Sequence, residues 1–290
     1  IDLGIDTNPT IDGQVPTANI SGVTSLDVYA KGISDLTGIE DFGALTDLLC
    51  ATNQLTSLDV SNNTSLTLLD CRNTLLTSLD VSNNTSLIQL ACSSNQLTSL
   101  DVSNNIALDY LYCENNQLTS LDLSNNPALN ILYCDSNQLT SLDVSNNPEL
   151  TDLLCRFNQL TSIDVSNNIA LEDFRVWNNQ LTSLDVSNNI ELTNLSTGEN
   201  QLTDLDVSNN PELITLFCYT NQLTSIDISN NTELSLLWCY NNQLTSLDVR
   251  NGNNTNIIGT DYFDSRDNPN LTCIFVDDAS YSTTNWTDID

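Results

Sequence analysis

The sequence predicts a flattened β-solenoid with parallel sheets on two faces and little or no helix. Leu recurs at 55, 76, 97, 118, 139, 160, 181, 202, 223 and 244, always 21 residues apart. A fixed period of this kind marks stacked units that bury one another's apolar faces. Each unit holds two short stretches of alternating apolar residues, Leu108-x-x-Leu111-x-Cys113 and Leu118-x-x-Leu121-x-Leu123, and alternation is the signature of a strand. Each stretch is followed by Asn (Asn116, Asn126 and their counterparts). The Asn amide can bond backbone groups where a chain turns, and Asn tolerates a left-handed conformation.

The elements follow in order. Residues 1–22 carry Gly, Pro and Thr without the period and read as a cap or lead-in. Residues 23–249 form the array, with about ten regular repeats from Leu55 onward. At Arg250-Asn251-Gly252 the pattern breaks, and 250–290 reads as irregular last rungs with a final apolar strand at 271–276 and a C-terminal cap. Open solenoid ends expose core, which is why atypical terminal segments are expected. The chain begins at Ile1 rather than Met and reads as a processed or trimmed form.

Composition narrows function. Six basic residues stand against 38 acidic ones, a net charge of −32. Such a charge repels nucleic acid and anionic membrane surfaces, and no apolar run is long enough for a membrane-spanning helix. Histidine is absent, which removes His-based catalysis and the commonest metal ligand. Cys50, Cys71, Cys92, Cys113, Cys134 and Cys155 lie 21 apart, Cys218 and Cys239 share the register, and Val176 and Thr197 take the two skipped places. A slot that accepts Val is an interior slot, so these are expected to be small buried hydrophobes with inert thiols.

Leu108-x-x-Leu111-x-Cys113-x-x-Asn116-x-Leu118 fits the pattern LxxLxLxxNxL, and the unit resembles a leucine-rich repeat. The fuller wording LTSLDVSNNxxLxxLxCxxNQ is similar to the bacterial 21-residue type with two nested halves, as in secreted and surface proteins of flavobacteria and related Bacteroidetes. The resemblance implies an all-β-rich leucine-rich-repeat solenoid, secreted or displayed on the outer cell surface. It implies no defined ligand.

The two predicted faces differ. The face built from LTSLDVS is nearly uniform and projects a column of carboxylates, Asp59, Asp80, Asp101, Asp122, Asp143, Asp164, Asp185, Asp206, Asp227 and Asp248. Like charges at strand spacing repel by on the order of 1 kcal/mol per pair even in water. The column is therefore expected to need cations, hydroxyl donors or raised pKa values. On the other face the outward positions vary inside an otherwise uniform repeat. They hold Tyr110, Tyr112, Tyr133, Trp177, Phe217, Tyr219, Trp238 and Tyr240, and also Arg156 and Arg175. Exposed aromatics with Arg make binding hot spots. The small rung Asn194/Ser196/Gly198 between them predicts a notch about 10 Å wide.

The expected function is an extracellular or cell-surface interaction module with a protein or glycan ligand on this variable face. A structural or adhesive spacer stalk is the alternative. A polysaccharide-active enzyme is a more remote one, with Asp152 and Asp173 its only acidic pair not imposed by the repeat. No cofactor is expected except calcium. Asp6-x-Asn8-x-x-x-Asp12-Gly13 resembles a calcium loop, with two extra residues, Pro9 and no closing Glu. A capping loop is the competing reading of that segment.

Overall fold

The computed structural model describes residues 17–259 and 261–286. The calcium candidates Asp6, Asn8 and Asp12 lie outside the described residues. The chain divides into two compact units, 1–138 and 139–290.

In the first unit a short helix, α1 (Thr17–Ile20), precedes six strands: β1 (Ser25–Asp27), β2 (Asp47–Leu49), β3 (Leu68–Asp70), β4 (Gln89–Ala91), β5 (Tyr110–Tyr112) and β6 (Ile131–Tyr133). They pair in parallel in sequence order. The register sets Leu48, Leu69, Leu90, Leu111 and Leu132 one above the next. Each strand buries its middle residue, and in β2, β5 and β6 the outer two are partly exposed. The strands stay three residues long because a left-handed residue follows each one. Thr52, Asn73, Ser94, Asn115 and Ser136 have φ between 51° and 57°, a conformation that ends a ladder.

The second unit repeats the scheme with β7 (Asp152–Leu154), β8 (Asp173–Arg175), β9 (Asn194–Ser196), β10 (Thr215–Phe217), β11 (Leu236–Trp238), β12 (Leu247–Asp248), β13 (Phe263–Asp264) and β14 (Ile274–Phe275). Strands β7 to β11 and then β13 make one parallel ladder, and β12 pairs with β14. The seven-residue helix α2 (Ala279–Asn285) follows, and Asp278 caps it by accepting from the N–H groups of Ser280 and Tyr281. Trp286 stacks on Phe263 with ring centroids 4.4 Å apart and donates to the Ile257 carbonyl, so it covers the last rung. Among the described residues no helix is long and apolar enough to cross a membrane.

The fold is thus a parallel-strand β-solenoid of about ten turns with very little helix. The uniform face is looser than a sheet. In the first unit it bridges at Asp59–Asp80, and in the second at Asp227–Asp248, beside the β12–β14 pair. The reason is local. Asp59 Oδ1 accepts the N–H of Ser61, and Asp80, Asp101, Asp143, Asp164, Asp185, Asp206 and Asp227 do the same with the Ser two residues on. Each such turn diverts a donor that a ladder would need.

Between the faces lies a closed apolar slice. The eight periodic Cys side chains are fully buried, as are Val176 and Thr197 in the same slot. Burial pushes the Cys50 and Cys218 thiols up to about 12 and those of Cys71, Cys92 and Cys239 well above their ordinary value, so they are poor nucleophiles. Two Asn ladders close the turns. Asn116 Nδ2 donates to the Cys92 and Cys113 carbonyls while its Oδ1 accepts from Leu97 N–H. Asn189 Nδ2 donates to the Val165 and Asn168 carbonyls, and its Oδ1 is buried without a hydrogen bond.

Candidate functional site

The variable face is where single side chains, rather than the repeat, decide local shape. In the first unit β5 and β6 bring Tyr112 beside Tyr133, edge to face at 5.1 Å, and align Tyr110 with Ile131. All four are partly exposed. Next to Tyr112, Glu114 is partly buried, and this raises its pKa above the ordinary carboxyl value. One of its oxygens is buried without a hydrogen bond.

The second unit gathers the other seven predicted residues. Phe217 stacks on Trp238 at 4.4 Å, and Tyr219 stacks on Tyr240 at 4.8 Å with planes 6° apart. These stacks arise because adjacent rungs carry aromatics in one column, and parallel register sets them face to face. Trp238 Nε1 is held by the Asp261 carbonyl. Two rungs before Phe217, the Arg156 guanidinium sits over the Trp177 ring at 5.8 Å, a cation–π contact. Arg175 donates through Nε and one terminal nitrogen to the two oxygens of Asp173.

Between these groups the face is hollow. A groove of about 430 Å³ has Asn194 and Ser196 as its floor. Arg156, Arg175 and Trp177 line one side, and Phe217, Tyr219 and Trp238 the other. This is the predicted notch, of a size typical for ligand sites. The predicted width at Gly198 is reduced, because the Tyr219 ring leans over that residue. A Cβ at Gly198 would meet the ring at 2.6–2.8 Å, so glycine there is what lets the ring lie down. The resulting burial raises the Tyr219 hydroxyl to about 12, helped by Tyr240 and Glu199.

One residue the sequence reading missed is Phe157. It takes the left-handed position with φ 51°, where the other rungs of this unit place Asn178, Glu199, Thr220, Asn241 and Asp267. A bulky side chain is strained there, yet Phe157 is exposed and meets Trp177 edge-on at 4.3 Å. The signal was available: Phe157 is the aromatic in a column of polar residues.

Of the three ways expected to satisfy the carboxylate column, hydroxyl donors are the one its titration reflects. Asp59, Asp80, Asp101, Asp143, Asp164, Asp185 and Asp206 have pKa values lowered, not raised. The hydroxyl of the following Ser is the largest cause and its N–H the next. Hydrogen bonds to the charged form outweigh the mutual repulsion. Among the described residues no group of three or more His, Cys, Asp or Glu side chains is placed to hold a metal ion. The acidic pair of the enzyme reading is tied up: Asp152 accepts from the Thr151 hydroxyl and Asp173 is clamped by Arg175.

No protein-family model matches the chain. Over 45 residues, 16% of the chain and 5% of the relative, it is 47% identical to internalin J of Listeria monocytogenes serotype 4b (strain F2365). Among solved structures it is similar to the functional domain of InlJ from Listeria monocytogenes, which includes a cysteine ladder. The identity there is 38% and the TM-score 0.81, over 90% of this chain and 55% of that one. The chain therefore spans about half the length of that domain. The fold is also shared with the internalin InlF of the same species, at 24% identity and a TM-score of 0.70, over 95% of this chain and 89% of that one. The chain is similar to leucine-rich repeat proteins in sequence and fold. It is similar to the internalin type in particular. Several of the other solved structures that share the fold are named as leucine-rich repeat proteins or domains.

Proposed function

We propose that this chain is an exported or surface-displayed protein-interaction module that takes its ligand on the variable strand face, chiefly in the second unit. The observation that carries the reading is the groove over Ser196, flanked by Trp177 and by the stacked pairs Phe217–Trp238 and Tyr219–Tyr240. Half-exposed aromatic surface of this extent is what a binding site offers before it is covered. Tyr110, Tyr112 and Tyr133 form a second patch of the same character. On this reading the described residues 17–22 and 250–286, residue 260 aside, flank the 23–249 array. The likeness to the InlJ domain supports the class of function and leaves the ligand open.

The test is selection of a displayed random heptapeptide library on the immobilised chain, beside a glycan array. Peptides enriched on the native chain and lost on Trp238→Ala or Tyr219→Ala, with both variants still folded by circular dichroism, establish the face as a protein-binding surface. Ligands that only the glycan array yields transfer the site to carbohydrate. Retention of every selected ligand by both variants refutes the assignment of this face.

A further inference from the structure

Resting on that reading, we infer that the groove over Ser196 is a socket for one uncharged aromatic side chain, a Tyr, Trp or Phe presented by the partner protein. The column running through the floor is Arg175, Ser196, Phe217, Trp238. Phe217 stacks against Trp238 in this column at 4.4 Å. At Ser196 the stack lacks a member. The space left is lined by Phe217 and by Arg175, whose guanidinium is held by Asp173, with Trp177 and Tyr219 beside it. A planar group entering there lies between the Phe217 and Arg175 side chains. Arg156 over Trp177 pairs a guanidinium with a ring within the chain.

Charge selects among planar groups. No Asp or Glu lines the groove and Arg156 and Arg175 border it, so a Lys or Arg side chain finds no carboxylate partner there. The net charge of −32 repels an acidic ligand on approach. A neutral aromatic ring escapes both penalties. Its electron-rich face attracts guanidinium, and its edge packs on Phe217, Tyr219 and Trp177. Two of the polar groups lining the groove are already engaged, Arg175 with both Asp173 oxygens and Asn194 Nδ2 with the Thr193 hydroxyl. This favours a ring over a sugar, which needs several directed hydrogen bonds.

The decisive variant is Ser196→Phe, which supplies the missing member from within. Its column already holds Phe217 and Trp238, so the fold accommodates it. The same heptapeptide library is selected on the native chain, on Ser196→Phe and on Trp238→Ala, with thermal melts for each. Expected is a consensus containing one aromatic residue, whose peptides bind Ser196→Phe at least about tenfold more weakly. N-acetyl-tyrosinamide, N-acetyl-argininamide and methyl glucoside are titrated in parallel by NMR, and expected is saturation by the first alone, abolished by Ser196→Phe. Peptides lost on Trp238→Ala but kept on Ser196→Phe overturn the socket and leave the binding face intact. A consensus without an aromatic, or preference for argininamide or glucoside, also overturns the socket while the face stands. Peptides kept on both variants overturn socket and face together.

Discussion

Within the second unit two faces of the same repeat have opposite characters. On the uniform face the hollows between neighbouring carboxylates come in copies. One is lined by Asp164, Asp185 and their Ser neighbours, and the next by Asp185 with its Ser neighbours and by Asp204 and Asp206, at about 380 and 400 Å³. On the variable face the groove over Ser196 is defined by side chains whose neighbours in each column differ. Repetition satisfies the backbone, and departure from repetition shapes a site. A scaffold position should therefore be intolerant of change in stability, and a variable-face position intolerant mainly in binding.

The largest expected effect is in the scaffold. Asn189 is fully buried and donates twice to carbonyls of neighbouring turns. Asn189→Asp removes both donors and sets a carboxylate against two carbonyl oxygens, costing on the order of 3 kcal/mol or more at neutral pH. Urea unfolding measures it, with partial recovery at acid pH where the carboxyl is protonated. A cost below about 1 kcal/mol would remove the ladder from the account of stability. Trp238→Ala, by contrast, removes a half-exposed ring stacked on Phe217 and is expected to cost only about 1–2 kcal/mol. Its effect on peptide capture should be the larger one.

That contrast also explains what the sequence could reveal. The 21-residue period specified rung spacing, register and the interior Cys slot, because each follows from stacking identical units. The small rung at Ser196 between aromatic rungs was visible for the same reason. Three things were not. Asp59 and its counterparts read as repelling charges that needed cations, hydroxyl donors or raised pKa values, and the sequence did not choose among the three. Their hydrogen bonds to the hydroxyl and N–H of the next Ser depend on turn geometry that spacing alone does not give. The same turns weaken the second sheet. Tyr219 lies over Gly198 rather than standing clear of it, a rotamer that no column of letters encodes.

Phe157 gives a smaller effect of opposite sign. Strain in its left-handed position costs about 1–3 kcal/mol, while the edge contact with Trp177 at 4.3 Å returns about 0.5–1.5. Phe157→Asn replaces it with the residue found at Asn178 and Asn241 in the same column. The variant is expected to gain up to about 1 kcal/mol, read as a higher melting temperature, and to capture selected peptides less well. A fall in stability would make Phe157 a structural prop for Trp177 instead.

The smallest single-site effect is expected on the carboxylate column, and there the sign with pH is informative. Hydrogen bonds from Ser103 hold the Asp101 pKa below its ordinary value. A carboxyl whose folded pKa is depressed adds stability above its unfolded pKa of about 3.9, and that contribution is lost as pH falls through the folded value. Asp101→Asn keeps an oxygen for the Ser103 N–H and removes the titration. Near pH 7 its thermal midpoint should stay close to the native one, since Asp101 is fully exposed. Below pH 4 its loss of stability should be shallower than that of the native chain. Adding salt at pH 7 should raise the native midpoint by screening a net charge of −32. If Asp101→Asn instead steepens acid unfolding, repulsion along the column dominates its hydrogen bonds, and the uniform face would be held together in spite of its carboxylates.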